Sequence, residues 1–436
     1  MALRVLKFGG SSVADADKVR HVARLAANTA DEGHQVVVVV SAMGKTTNHL
    51  VELGQTLMPA ATNDATANRA SGREYDALLA TGEMVSTALL SLAIQQLGYA
   101  AIGLNGQQAG IQTESLPNRA RILAIDTDII FNHLNQGKIV VVTGFQGVDG
   151  DGNITTLGRG GSDTSAVALA AALQADRCDI YTDVQGVYST DPRVVPEAIR
   201  LNQIAYIEML ELARVGAKVL HPRSVETARQ ADVPLVVRST FHPEDPGTMV
   251  IALDNMALDR RVTGIACDKN QVRLALVGFS DEPGVAGQVF GAMANGNISV
   301  DMIVQAVSHP DPNGKLLNDL AFTVTAQEAA DAKRVLENLL PTVGARGVFE
   351  EADLAKVSIV GAGMIDRPGI AADMFQALAT ANIPIRMIAT SEIKISCLVP
   401  KNDADRAVQG LHRVFFPEAH ENEASAASMV NEKIGY

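Results

Sequence analysis

The sequence predicts an α/β protein: a mostly parallel sheet covered on both faces by helices, followed by a duplicated smaller α/β module. Three observations predict it. Up to about Thr248, short β-branched runs alternate with Ala- and Leu-rich helical segments, and apolar strand runs flanked by helices belong to sheets buried on both sides. Beyond Gly247, two segments echo one another at a constant offset of 85 residues. The chain, at 436 residues, also exceeds one ordinary core, so two or three domains are expected.

Within the first part, residues 36–40, 139–143 and 179–182 read as strands, and 165–174 and 207–215 as helices. The polar stretch 59–72 has little apolar periodicity and reads as an exposed excursion. In the second part, Val272 to Gly278 is matched by Val357 to Gly361, Pro283-Gly284-Val285-Ala286 by Pro368-Gly369-Ile370-Ala371, and Met302-Ile303 by Met387-Ile388. Each copy reads as a strand, a Pro-Gly turn at a helix start, an amphipathic helix and a second strand. The tail after Phe416 is polar and is expected to fray.

Composition narrows the function. Hydrophobic residues make up 47% of the chain, Trp is absent and the net charge is −13. No basic stripe suits a nucleic acid or an anionic membrane. The three cysteines, Cys178, Cys267 and Cys397, have neither disulfide-framework nor zinc-site spacing. The chain enters a strand-like run at once, without a leader's apolar region, and no apolar stretch reads as long enough to span a bilayer. A cytoplasmic protein is expected.

Four motifs could carry chemistry. Lys7-Phe8-Gly9-Gly10-Ser11-Ser12 joins a strand to a helix, where adjacent glycines admit an anion to the backbone and the helix start adds partial positive charge; a plain turn with an exposed lysine is the alternative. Ser41-Ala42-Met43-Gly44-Lys45-Thr46-Thr47 follows the second strand, but Val39 stands where a P-loop needs its first Gly. Gly158-Arg159-Gly160-Gly161-Ser162-Asp163 precedes a helix and combines an Arg fork, two glycines and a helix N-terminus into a second anion cradle. Thr182-Asp183 through Tyr188 to Arg193 lies at a strand's carboxyl end, where α/β folds bind ligands. Asp149 to Asn153 imitates a calcium loop, yet Ile154 and Gly160 replace its Gly and Glu, so it reads as a hairpin turn. The nine histidines show no metal spacing and are read as surface or core residues.

Taken in this order, with Thr81-Gly82-Glu83 and Gly144-Phe145-Gln146-Gly147, these motifs resemble the amino-acid kinase family in its aspartokinase branch, and the duplicated tail resembles paired ACT domains. The resemblance implies a three-layer α/β/α kinase domain over 1–248, ferredoxin-like βαββαβ ACT domains over 262–345 and 346–425, and a flexible tail over 426–436. It implies transfer of a phosphoryl group from ATP, with Mg2+, to L-aspartate. Lys7 and Asp163 would be catalytic; Thr47, Glu83, Arg159, Gly160, Gly161 and Ser162 would hold aspartate. Lys7, Phe8, Gly9, Gly10, Thr182, Asp183, Tyr188, Arg193 and Lys218 would hold ATP, and no protein-held metal is implied.

Asp281, Gly284, Gln305, Ser391 and Glu392 would bind lysine, threonine or both as feedback effectors. Ser299 stands where relatives often carry Asn, and Pro384 at the matching place in the second module, so the effector's identity stays open. A homo-oligomer, at least a dimer through the ACT domains, is implied, possibly with a separate regulatory chain started near Met256. Related kinases acting on acetylglutamate, glutamate or a nucleoside monophosphate, and a non-catalytic amino-acid-binding regulator, are the alternatives.

Overall fold

A computed structural model describes residues 1–57, 65–217, 219–256, 260–280, 282–306, 309–310, 316–365 and 367–420. They gather into two compact units, one of residues 1–187, 200–213 and 218–257, the other of 188–199, 214–217 and 258–436.

The first unit is built on an eight-stranded sheet. Its spatial order is β10 (Gln203–Ala205), β12 (Thr248–Ile251), β11 (Leu235–Ser239), β9 (Arg177–Thr182), β1 (Leu3–Phe8), β2 (Gln35–Val40), β6 (Ile139–Thr143) and β3 (Ala101–Leu104). Every pairing is parallel except that of β11 with β12. The five valines of β2 are all buried, as a strand covered on both faces requires. A small sheet of β5 (Ile122–Ile125), β4 (Ile111–Thr113), β7 (Gln146–Val148) and β8 (Ile154–Thr156) stands apart, and its β7–β8 hairpin carries the false calcium loop.

Helices α1 (Ala16–Asp31) and α3 (Ala65–Gln96) cover one face of the large sheet, where Val19, Val22, Leu90 and Ile94 pack on Leu6, Phe8, Val38 and Val141. The Asp15 side chain caps α1 by accepting the Lys18 N–H at 2.9 Å, an arrangement that contributes about 1 kcal/mol. Helices α5 (Gly161–Ala172) and α7 (Pro222–Ala231) pack together, with α5 against β1 and β9. The remaining helices of this part are α2 (Thr46–Leu57), α4 (Asp128–Leu134) and α6 (Tyr206–Arg214).

Two expectations about the first part need correction. Part of the supposed excursion, from Ala65 onward, is the beginning of α3, and Gly72 lies so close to Pro117 that a Cβ would stand 2.8 Å from it; residues 58–64 are outside the described set. The same helix, over Ala70–Gln96, is long and apolar enough by composition to cross a membrane, with half of its most apolar 18 residues buried inside the fold. Its apolar Ala, Leu, Met, Val and Ile are interspersed with Thr, Ser and charged residues rather than gathered in one conspicuous run, so it escaped the sequence reading.

The second unit holds the duplicated modules in one continuous sheet of β14 (Asp301–Gln305), β16 (Leu316–Thr325), β13 (Gly264–Ser280), β17 (Gly347–Val360), β19 (Lys394–Pro400) and β18 (Met387–Ser391), with β15 (His309–Pro310) paired to β16. The repeated helices α8 (Val285–Asn295) and α10 (Ile370–Thr380) have equal length and start at Gly284 and Gly369, with φ of 103° and 100°. That left-handed conformation explains the glycine in each Pro-Gly turn. Helix α9 (Ala329–Val343) joins α8 over one core, and α11 (Ala404–Phe415) joins α10 over another.

The long strands β13 and β17 are shared. Gln271 to Ser280 pairs with β16 in the first module, whereas Gly264 to Asp268 pairs with Val360 to Lys356 in the second. Thus the second module takes a strand from ahead of the first. The first residues of the tail depart from expectation: 417–420 are helical, and His420 reaches back to His412 at 3.0 Å; the flexible segment expected over 426–436 lies outside the described residues.

Candidate active site

The site assembles around the carboxyl end of β1. Leu6 and Phe8 point into the core beneath α1, and strand alternation sends Lys7 to the opposite face, toward α5. There its buried Nζ lies 2.6 Å from Oδ1 of Asp163, in the first turn of α5.

The turn after β1 is locked to the turn after β2. Gly44 N–H donates to the Gly10 carbonyl at 2.9 Å, and Ser41 N–H to the Phe8 carbonyl at 3.1 Å. A Cβ on Gly10 would lie 2.8 Å from the Ala42 carbonyl oxygen. Glu83, buried on α3, accepts the Ala42 N–H at 3.0 Å through Oε1, while Oε2 has no hydrogen-bond partner among the described residues. Burial outweighs that bond and pushes its carboxyl up to about 7. Thr47 is half-buried in the first turn of α2.

The second cradle has the geometry its glycines require. Gly158 and Gly160 take φ of 75° and 70°, and Gly160 begins α5 without a side-chain cap; Gly161 N–H donates to the Gly158 carbonyl at 3.0 Å, which leaves the following first-turn N–H groups and the helix's positive end to face an anion. Ser162 sits close to Gly144, where a Cβ would come within 2.9 Å of it. Arg159 is exposed. Thr182 ends β9, its hydroxyl donating to Asp183 Oδ1 at 3.0 Å, and Gly9 N–H donates to the neighbouring Tyr181 carbonyl at 3.3 Å.

The geometry therefore gathers Lys7, Gly9, Gly10, Ser162, Asp163, Thr182 and, through Ala42, Glu83. Tyr188 and Arg193 belong to the second unit; the exposed Arg193 is paired with Asp191 at 2.7 Å. Lys218 lies outside the described residues.

Residues 2–239 match the amino acid kinase family, and residues 274–340 and 357–415 match the ACT domain. Aspartokinase 2 of Bacillus subtilis is 47% identical over 420 residues, spanning 96% of this chain and 99% of its own. The aspartokinase of Thermus thermophilus is 45% identical over 415 residues, 95% of this chain and 99% of its own. The solved structure of E. coli aspartokinase III in complex with aspartate and ADP, in the R-state, superposes with a TM-score of 0.75 at 30% identity, covering 95% of this chain and 100% of that one. The chain belongs to the aspartokinases.

Within this aspartokinase fold, Gly284 is the left-handed residue that starts α8, Gln305 ends β14 exposed, and Ser391 and Glu392 are exposed at the turn between β18 and β19. Asp281 lies outside the described residues. Two residues near the cradle were passed over by the sequence reading. His221 caps α7, accepting the Arg223 N–H through Nδ1 at 3.3 Å. Its ring fills the space beside Gly160, where a Cβ would stand 2.2 Å from His221 Cγ. Burial lowers its pKa, against the pull of the Asp163 charge.

Asp76 is fully buried and accepts the Asn118 and Thr156 N–H groups at 3.0 and 2.8 Å and the Thr156 hydroxyl at 2.7 Å; burial raises its pKa. The Pro after His221 does mark a helix start. Which strand end that helix faces is a tertiary fact, and Asp76 lay unremarked inside α3.

Proposed function

We propose that the chain phosphorylates L-aspartate at its side-chain carboxylate with ATP, giving ADP and 4-phospho-L-aspartate, through the residues gathered at the end of β1. The observation that carries this reading is the buried Lys7–Asp163 pair, set between the Gly9-Gly10 turn and the uncapped start of α5. A carboxylate oxygen of aspartate attacks the γ-phosphorus, the bond to ADP breaks, and ADP leaves. The nucleophile is already ionised, so the protein's work is to align two anions and neutralise the charge between them. Lys7 meets that charge with Asp163 holding its ammonium in place, and Gly9 and Gly10 let phosphate oxygens reach the backbone.

Arg159 would fork onto the α-carboxylate of aspartate, with Ser162 and the α5 N–H groups beside it; Glu83 would take the α-amine, and Thr47 would complete the pocket. Phe8, Thr182, Asp183, Tyr188, Arg193 and Lys218 would hold ATP. Magnesium would be held mainly by the nucleotide phosphates, with one exposed carboxylate, Asp183, within the loop. Bound there, magnesium would neutralise phosphate charge.

The tandem modules would act as feedback sensors for lysine, threonine or both, at the start of α8 with Asp281, Gly284 and Gln305, and at Ser391 and Glu392. E. coli aspartokinase III in complex with lysine and aspartate, in the T-state, superposes with a TM-score of 0.70 at 30% identity over 95% of this chain and 99% of that one, which supports this reading. We assign the kinase domain to 1–248 and the modules mainly to 262–345 and 346–425, the second borrowing Gly264 to Asp268 from ahead of the first. A homodimer through the modules is favoured by exposed Ile303 and Ile388 on β14 and β18, strands that end the sheet path.

A coupled assay of ADP release with aspartate, glutamate and acetylglutamate tests the substrate. Turnover with aspartate alone is expected; a preference for either other acceptor would overturn the assignment.

A further inference from the structure

Residues 188–199 are built into the sensor unit at several points. Ile265 N–H, at the start of β13, donates to the Ser189 carbonyl at 2.7 Å, and Gln409 Nε2 of α11 donates to the Val194 carbonyl at 3.1 Å. Val195 is buried in the core shared with Ile359, Ile370 and Leu411. The fourth tie is a side-chain relay. Ser189 Oγ lies 2.9 Å from Nε2 of His412, which is fully buried on α11 and stacked on Phe416.

Ser189 Oγ also accepts the Ile199 N–H at 2.9 Å, and the other ring nitrogen of His412, Nδ1, lies 3.0 Å from His420 Nε2. A neutral imidazole donates through one nitrogen and accepts through the other, so both contacts can be hydrogen bonds at once. Burial, with His420 second, pushes the His412 pKa down to about 4, which keeps the ring neutral and the relay intact near neutral pH.

Ser189 follows Tyr188 directly and precedes Arg193 by four positions. The intervening turn is stiff: Asp191 accepts the Arg193 N–H at 2.9 Å and its guanidinium at 2.7 Å, and the Asp191 carbonyl accepts the Val194 and Val195 N–H groups. Displacing Ser189 must therefore carry the turn with it. We propose that His412 is a positioning residue for the nucleotide: through Ser189 it sets Tyr188 and Arg193, so α11 helps orient ATP. This inference rests on the reading of Tyr188 and Arg193 as nucleotide contacts.

The test compares Ser189→Ala, His412→Phe and His412→Gln in the full chain, with Arg193→Ala as reference. Phe keeps the ring's volume and stacking without its nitrogens, whereas Gln can return a polar atom to the Nε2 position. Loss of the bond is expected to raise KM for ATP about threefold to tenfold and leave KM for aspartate unchanged. The double variant Ser189→Ala/His412→Phe should do no more than either single one, as members of one relay do, and Gln should restore much of the loss.

Unfolding midpoints and circular dichroism establish that each variant is folded. If folded Ser189→Ala and His412→Phe keep the wild-type KM for ATP while Arg193→Ala raises it, the anchor is refuted and the loop assignment stands. If Arg193→Ala itself leaves ATP affinity unchanged, the loop assignment falls and takes the anchor with it.

Discussion

Lys7 and Glu83 show how burial turns ordinary residue types into reagents. Lys7 holds its ammonium against Asp163 in a buried setting, so in its proposed role it would need no reorganisation when charge develops on the transferring phosphoryl group. Lys7→Ala should fold and should lose about 10²- to 10³-fold in kcat, measured by steady-state turnover; near-normal turnover would remove it from the mechanism. Glu83 titrates at about 7 because burial opposes its charge. In the role proposed for Glu83, the protonated aspartate amine would select the ionised carboxylate, so binding should be weak below that pH and strengthen as pH rises through it, by up to about tenfold per unit on the acidic side. KM for aspartate should thus fall across neutrality and then level off. Glu83→Gln should flatten the profile at a high KM; a profile that keeps its slope would assign the titration to another group.

At the scale of elements, the strands were largely legible because each is an apolar run bounded by turn residues: 139–143 was read with the bounds of β6, and 36–40 lies one residue inside β2. The helix predicted from residue 165 begins four residues earlier, at Gly161. A cradle written in glycine, serine and aspartate has no apolar period to announce it. The cradle's neighbour was illegible for a different reason. Only the packing of α7 on α5 puts the His221 ring beside Gly160. Gly160→Ala would combine a left-handed φ with overlap of that ring, so the start of α5 should shift. Aspartate affinity is expected to drop with a lowered unfolding midpoint, read by titration and thermal melts, and a variant with wild-type values for both would refute the close approach.

For the whole molecule, the repeat was readable from its offset, and the two helices of equal length obey it. What the repeat could not reveal is the exchange of strands between modules, since pairing partners are not encoded in periodicity. Control by the modules requires an effector that binds one state of the kinase better than another, with a coupling of about 1 to 3 kcal/mol. Titrating lysine, threonine and their mixture against activity in the wild type and in Asp281→Ala should show inhibition that the substitution weakens. Inhibition by none of them would end the sensor reading, and inhibition untouched by the substitution would move the site elsewhere.

The shared strand β13 makes the two sensors nested rather than tandem: the chain begins the second, completes the first inside it, and only then returns to finish the second. Neither can be removed or inherited as a cassette cut between residues 345 and 346. A fragment beginning at Met256 retains every strand of both and is expected to fold as one cooperative body. A fragment beginning at residue 346 leaves Lys356 to Val360 without their neighbour on one side, and circular dichroism should find it unfolded or associated through that open edge.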